Sequence, residues 1–111
     1  QKVNPDRSLS FFCAIDDGVV LTVAKAQGMV ESTRAALTEV DQNLGGIDMI
    51  LGFDCILRRL DAQNRQVFRG MSELYQKHRV IGFGTYGEQY QSLHLNQTLT
   101  GIAFGHALAA E

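Results

Sequence analysis

Apolar and polar positions change period several times along this chain, and each change marks an element. Leu9 to Ile15 (LSFFCAI) is a short apolar, aromatic run of the kind that forms a buried strand. Asp16-Asp17-Gly18 follows, with glycine where a turn needs positive φ. Val19 to Ala24 (VVLTVA) is β-branched, so the two runs predict a hairpin. Over residues 29–44 the period lengthens. Val30, Thr33, Leu37, Val40 and Leu44 recur at spacings of three and four, the stripe of an amphipathic helix, and Gly45-Gly46 closes it. Ile47 to Phe53 (IDMILGF) is a third strand. Asp54 is then placed to cap a long second helix whose apolar row is Leu57, Leu60, Val67, Met71 and Leu74, with polar Asn64 admitted to the row. Lys77 and His78 fall in its last turn, where positive charge is favourable, and Gly70 predicts a departure from straightness. Arg79 to Tyr86 and Leu93 to Phe104 are the fourth and fifth strands, joined by residues 87–92.

The order is ββαβαββ. It predicts an α+β fold, an antiparallel sheet of about five strands with two helices packed on one face. A strand order 2-1-5-4-3, as in PAS and GAF sensor domains, would set the terminal hairpins side by side. Leu37, Val40, Leu44, Leu60, Val67, Met71 and Leu74 are then the sheet-facing core. Residues 1–8 are polar, contain the only proline, Pro5, and read as a linker or the end of a preceding domain. Residues 9–105 form the domain, and residues 106–111 a tail.

Composition narrows the function classes. With 111 residues, 45% apolar and 20% charged, the chain is one ordinary globular unit with a single core. The net charge is −2 and the ten basic residues are scattered, so no strip tracks a phosphate backbone and nucleic acid is excluded as a partner. No apolar run approaches the roughly 20 residues that span a bilayer. Cys13 and Cys55 lie inside apolar segments, which predicts reduced, buried thiols and a cytoplasmic fragment of a longer protein.

Most chemical signatures are missing. There is no phosphate loop, and Gly82-Phe83-Gly84 lacks the third glycine of a dinucleotide fingerprint. There is no Cys-x-x-Cys pair for zinc and no hydrolase elbow. No nucleophile–base pair is visible, so an enzyme is not expected. The dense region is 79–101 (RVIGFGTYGEQYQSLHLNQTLTG). Alternation puts Val80, Gly82, Gly84 and Tyr86 on one face of the fourth strand, where two glycines leave an empty strip for a helix, a loop or a ligand. On the fifth strand His94, Asn96, Thr98 and Thr100 share a face that is either a solvated edge or the lining of a ligand site. Glu88, in the connecting loop, is either solvated or a partner for a ligand amine or an imidazole N–H. If register brings these faces together, Gly82, Gly84, Tyr86, Glu88, His94, Asn96 and Thr98 make the ligand pocket.

The segments GFDCILRR at 52–59, GFGTYGEQ at 82–89 and HLNQTLTG at 94–101, with FFCAIDDGVVLTVA at 11–24, resemble the C-terminal half of FIST domains. The form TYGEQ with HxNQT is most similar to the nitric-oxide-sensing haemoproteins of that family. The resemblance implies a bacterial sensory module that works with an N-terminal FIST part of the same protein. It also implies output to a sensor histidine kinase or to cyclic-di-GMP enzymes. In the haem-binding version, haem needs an axial donor, for which His94 is the expected residue and Tyr86 and Cys55 are the runners-up. Two other readings stand beside it. One is an amino-acid sensor in which Glu88 takes the amine and Arg58 or backbone N–H groups take the carboxylate. The other is a dimerisation module that pairs through unpaired outer strands.

Overall fold

The computed structural model describes residues 2–106. Ten elements follow in order: β1 (Lys2–Val3), β2 (Leu9–Ser10), α1 (Met29–Leu44), β3 (Ile47–Cys55), α2 (Ile56–Asn64), α3 (Phe68–Lys77), β4 (Val80–Thr85), β5 (Glu88–Tyr90), β6 (Leu93–Leu95) and β7 (Leu99–Gly105). The class is mixed α+β. The tail expected over 106–111 lies, beyond His106, outside the described residues.

α1 forms where the three-and-four spacing predicts it. Gly45 ends it at φ +67°, and the N–H groups of Gly45 and Gly46 reach back to the carbonyls of Gln42 and Asp41 at 3.3 and 3.0 Å. The Asp41 carboxylate then accepts the Ile47 N–H at 2.9 Å, so the helix end also sets the start of β3.

The sheet differs from expectation. It has three strands in the order β4-β3-β7, with β3 parallel to β4 and antiparallel to β7. The reason is the path between β3 and β4. Helical residues cross from the end of one strand to the start of the next, and such a crossover returns the chain in the same direction. The five-stranded antiparallel sheet is therefore not formed among the described residues. β5 and β6 pair only with each other.

The first predicted hairpin is also different. The Asp16–Gly18 turn is present, with Gly18 at φ +82° and the Val19 N–H directed at the Asp16 carbonyl at 3.4 Å. The flanking runs do not pair. Instead Leu9–Ser10 pairs with Lys2–Val3, and the chain from 11 to 28 carries no ladder.

The long second helix is two helices. Gln66 adopts φ +58° and the polar run Asn64-Arg65-Gln66 turns the chain before α3. Asn64 breaks the apolar row rather than joining it. Gly70, by contrast, sits within α3, where its backbone approaches Val30. The fifth predicted strand is divided too, at residues 96–98, with Gln97 at φ +57°.

The core is Leu37, Ile47, Ile50 and Leu74, with Val40, Tyr75, Val80 and Ala103 packed around it. Leu37, Met71 and Leu74 are buried as expected, whereas Leu44 and Leu60 are 41% and 47% exposed. Splitting the helix rotates α2 so that Ala62, not Leu60, is its buried residue. Cys55 is fully buried and Cys13 partly so, and both are free thiols. No helix among the described residues is long and apolar enough to cross a membrane.

Candidate functional site

The register of the sheet produces a row of three glycines. Gly52 on β3 lies opposite Gly82 on β4 and opposite Gly101 on β7. Ile50, Gly52 and Asp54 share a face of β3, matched by Val80, Gly82 and Gly84 across one ladder and by Ala103, Gly101 and Leu99 across the other. Ile50, Val80 and Ala103 pack under the helices. Beyond them the glycines leave the sheet bare, and a cavity of about 440 Å³ opens there. That lies in the size range of small-molecule sites. Gly82 and Gly84 thus line a space, as alternation predicts. A Cβ built on Gly84 would meet nothing closer than the Asp54 carbonyl oxygen at 3.8 Å.

The polar end of the cavity is built from three side chains on three elements. Asp54, near the end of β3, was expected to cap the following helix. It does not, because Cys55 is the N-cap residue and makes no side-chain cap bond. The Asp54 carboxylate turns instead to Arg58 and Tyr75. Arg58 Nε donates to Asp54 Oδ1 at 2.8 Å, and the Tyr75 hydroxyl donates to Oδ2 at 2.9 Å. Arg58 Nη2 also donates to the Thr33 hydroxyl at 3.0 Å, which ties the set to α1. Burial opposes ionisation of the Tyr75 phenol and pushes its pKa up to about 12. Burial also works against the charge on Arg58, but Tyr75 and Asp54 outweigh it and the guanidinium pKa is raised. The walls are mostly apolar, including Met29, Phe68, Met71 and Leu99, with Arg59, Ser72 and Gln76 among them. Arg59 lies over the Phe68 ring, 5.9 Å from its centroid.

The rest of the expected pocket gathers elsewhere. Glu88 opens β5 and is 3% exposed. Its carboxylate accepts the hydroxyls of Thr85 and Thr98, one to each oxygen. Asn96 donates to the Tyr86 carbonyl at 3.3 Å, and its own Oδ1 is buried without a partner. The His94 imidazole lies over Gly87, where a Cβ would fall 2.5 Å from Cε1. Tyr86 is 88% exposed and joins this group through its backbone carbonyl. So Gly82 and Gly84 line the cavity, while Glu88, His94, Asn96 and Thr98 form a second cluster around the β5–β6 hairpin. None of the three histidines lines the cavity.

Sequence reasoning missed Tyr75 as a site residue and assigned Asp54 a different role. One signal was available: Asp54 and Arg58 stand four apart across the start of a helix, the spacing of an ion pair. Tyr75 had none, since only the fold of α3 back onto β3 brings it there.

The model of the FIST C domain family matches residues 1–91. The chain belongs to the FIST C family. No curated protein and no solved structure matches it. FIST domains are sensor modules of signal transduction. Asp54, Arg58, Tyr75, the glycines of β3 and β4, and Glu88 lie within the matched FIST span. His94, Asn96 and Thr98 lie beyond it.

Proposed function

We propose that this FIST domain binds a small zwitterionic metabolite, an amino acid being the simplest, in the cavity between the glycine row and α2–α3. The observation that carries the reading is the hydrogen-bonded Asp54–Arg58–Tyr75 set at one end of a mostly apolar space, whose other polar lining residues are Arg59, Ser72 and Gln76. Few, convergent polar groups in an apolar cavity are what fix the orientation of a small ligand. The pair is already charge-balanced, so a ligand carrying both charges adds no net charge to the site. Asp54 accepts one bond on each oxygen and keeps lone pairs for an ammonium group. Arg58 Nη1 makes no hydrogen bond among the described residues and is the donor for a carboxylate. Asp54 thereby takes the role first given to Glu88, whose oxygens are engaged by Thr85 and Thr98.

The domain acts by binding and not by turnover. Occupancy draws α2 and α3 toward β3, and the change is read by the N-terminal FIST part and passed to a histidine kinase or a cyclic-di-GMP enzyme. Haem-based nitric oxide sensing fits the described residues less well. The expected axial donor His94 is exposed on a three-residue strand outside the cavity, and neither histidine nor cysteine lines that cavity.

Calorimetric titration of the chain with free amino acids, and absorbance spectra with added haem, test the reading. Binding of at least one amino acid is expected, weakened about tenfold or more by Arg58→Ala. Amino-acid binding indifferent to Arg58→Ala would overturn it. So would a Soret band that is lost in His94→Ala.

A further inference from the structure

The segment from Phe11 to Gly28 is apolar yet unpaired. Its seven large apolar side chains, from Phe11 to Val23, are all at least 38% exposed, and Val23 is fully so. The segment projects from the body as an arm. The radius of gyration is 16.6 Å, against about 13 Å for a compact domain of this length. Backbone N–H and C=O groups along Val19–Ala24 have no ladder partner. The same chain carries the matching deficit. β7 is an end strand of the sheet, seven residues long, with neither charge nor proline to protect its free edge. The sheet face turned away from the helices is also bare. Ile81, Phe83, Ile102 and Phe104 on it are 46–63% exposed, and Phe53 packs edge-on against Phe83 with ring centroids 5.2 Å apart.

We propose that the arm of one copy adds as a strand to β7 of a second copy, and that the exchange is reciprocal. Three observations choose this occupant. First, donor and acceptor are both present, unpartnered, in one chain, which is the condition for a closed two-fold exchange. Second, the pattern fits. Val19, Leu21 and Val23 alternate with Val20, Thr22 and Ala24, so the wholly apolar Val19–Leu21–Val23 row continues the bare face beside Ile102 and Phe104. Third, the area fits. Eleven large apolar side chains at about half exposure leave on the order of 800 Å² of apolar surface per copy. That is about one partner's share of a stable interface and more than a monomer usually exposes. The connector to α1, Lys25–Gly28, is short, and a short hinge favours a neighbour's edge over its own.

The test is complementation between two variants of the chain, read by light scattering and circular dichroism. Leu21→Asp disables the arm, which makes no core contact, so folding is not at issue. Ile102→Lys disables the β7 acceptor at an exposed position. The unaltered chain is expected at twice its 12.2 kDa mass. Each variant alone is expected to be monomeric with an unchanged spectrum. The two mixed are expected to form a heterodimer, because one copy still offers an intact sheet and the other an intact arm. A monomeric unaltered chain overturns the proposal. So does a dimer that survives both substitutions, or a mixture that stays monomeric. Should Ile102→Lys perturb the spectrum, Thr100→Lys on the same face of β7 replaces it in the mixing experiment.

Discussion

The Tyr75 hydroxyl donates to Oδ2 of Asp54 at 2.9 Å, joining α3 to the end of β3 across 21 positions of chain. Burial holds that phenol protonated, with its pKa raised from 10 to about 12. A group whose folded pKa is raised contributes stability that is complete below its unfolded pKa and is lost as pH rises through the folded one. Stability is therefore expected to fall between about pH 10 and about pH 12 in excess of that of Tyr75→Phe. Denaturant unfolding of both proteins across that window measures the difference. Equal slopes against pH would refute it.

Gly82 is the position least able to change. Its φ is +150°, and a Cβ there would run into the backbone of Gly52 on the neighbouring strand. Gly82→Ala is expected to cost more than about 1 kcal/mol. Gly84→Ala, whose Cβ makes only an ordinary contact with the Asp54 carbonyl oxygen at 3.8 Å, is expected to cost less. Urea midpoints of the two variants, compared at equal m-value, decide between them.

Glu88 fastens the β5–β6 hairpin to the sheet through Thr85 and Thr98. Glu88→Ala leaves both hydroxyls without an acceptor and is expected to cost about 1–3 kcal/mol. Hydrogen exchange should then quicken in residues 88–95 and not in β3. Uniform quickening over the whole sheet would show that the carboxylate supports the fold at large.

The thiols should separate. Cys55 has no exposed surface, whereas Cys13 is partly exposed on the arm. In the monomeric Leu21→Asp variant, one thiol per chain is expected to label quickly and the second only on unfolding. Slow labelling of both thiols in that variant would mean that Cys13 is covered by its own chain.

Leu74→Ala is expected to cost about 2–5 kcal/mol, since Leu74 is 4% exposed in the core cluster. Leu60→Ala, at a half-exposed position, should cost about 1 kcal/mol or less. Thermal melts of the pair test whether the helix break at Gln66 reassigns the core.

What the sequence made legible follows its local signals. The α1 stripe and its glycine stop needed only neighbours within a turn or two, and both formed. So did the Asp16–Gly18 turn. The glycines at 82 and 84 marked an empty strip, and the strip is there. What failed depended on distant partners. Val19–Ala24 is as strand-like as β3, but nothing in its own composition says whether a neighbour will be present. Asn64 was admitted to an apolar row because the row continued beyond it, yet the row resumed on a different helix. The polar face of residues 94–100 could not be read as one face once Gln97 turned the chain. Asp54 looked like a cap because its partner Tyr75 comes from a helix whose direction no local pattern records.

The middle strand β3 depends on two ladders of unequal timing. Its partner β4 follows after two helices, but its other partner, β7, is the last element of the described chain. During synthesis β3 and β4 are thus exposed as a two-stranded parallel pair while residues 86–98 are still being added, and the glycine row is incomplete until Gly101 arrives. Until then a ribosome-bound chain presents β3 as a naked apolar edge, and a message cut short before Leu99 leaves that edge permanently open.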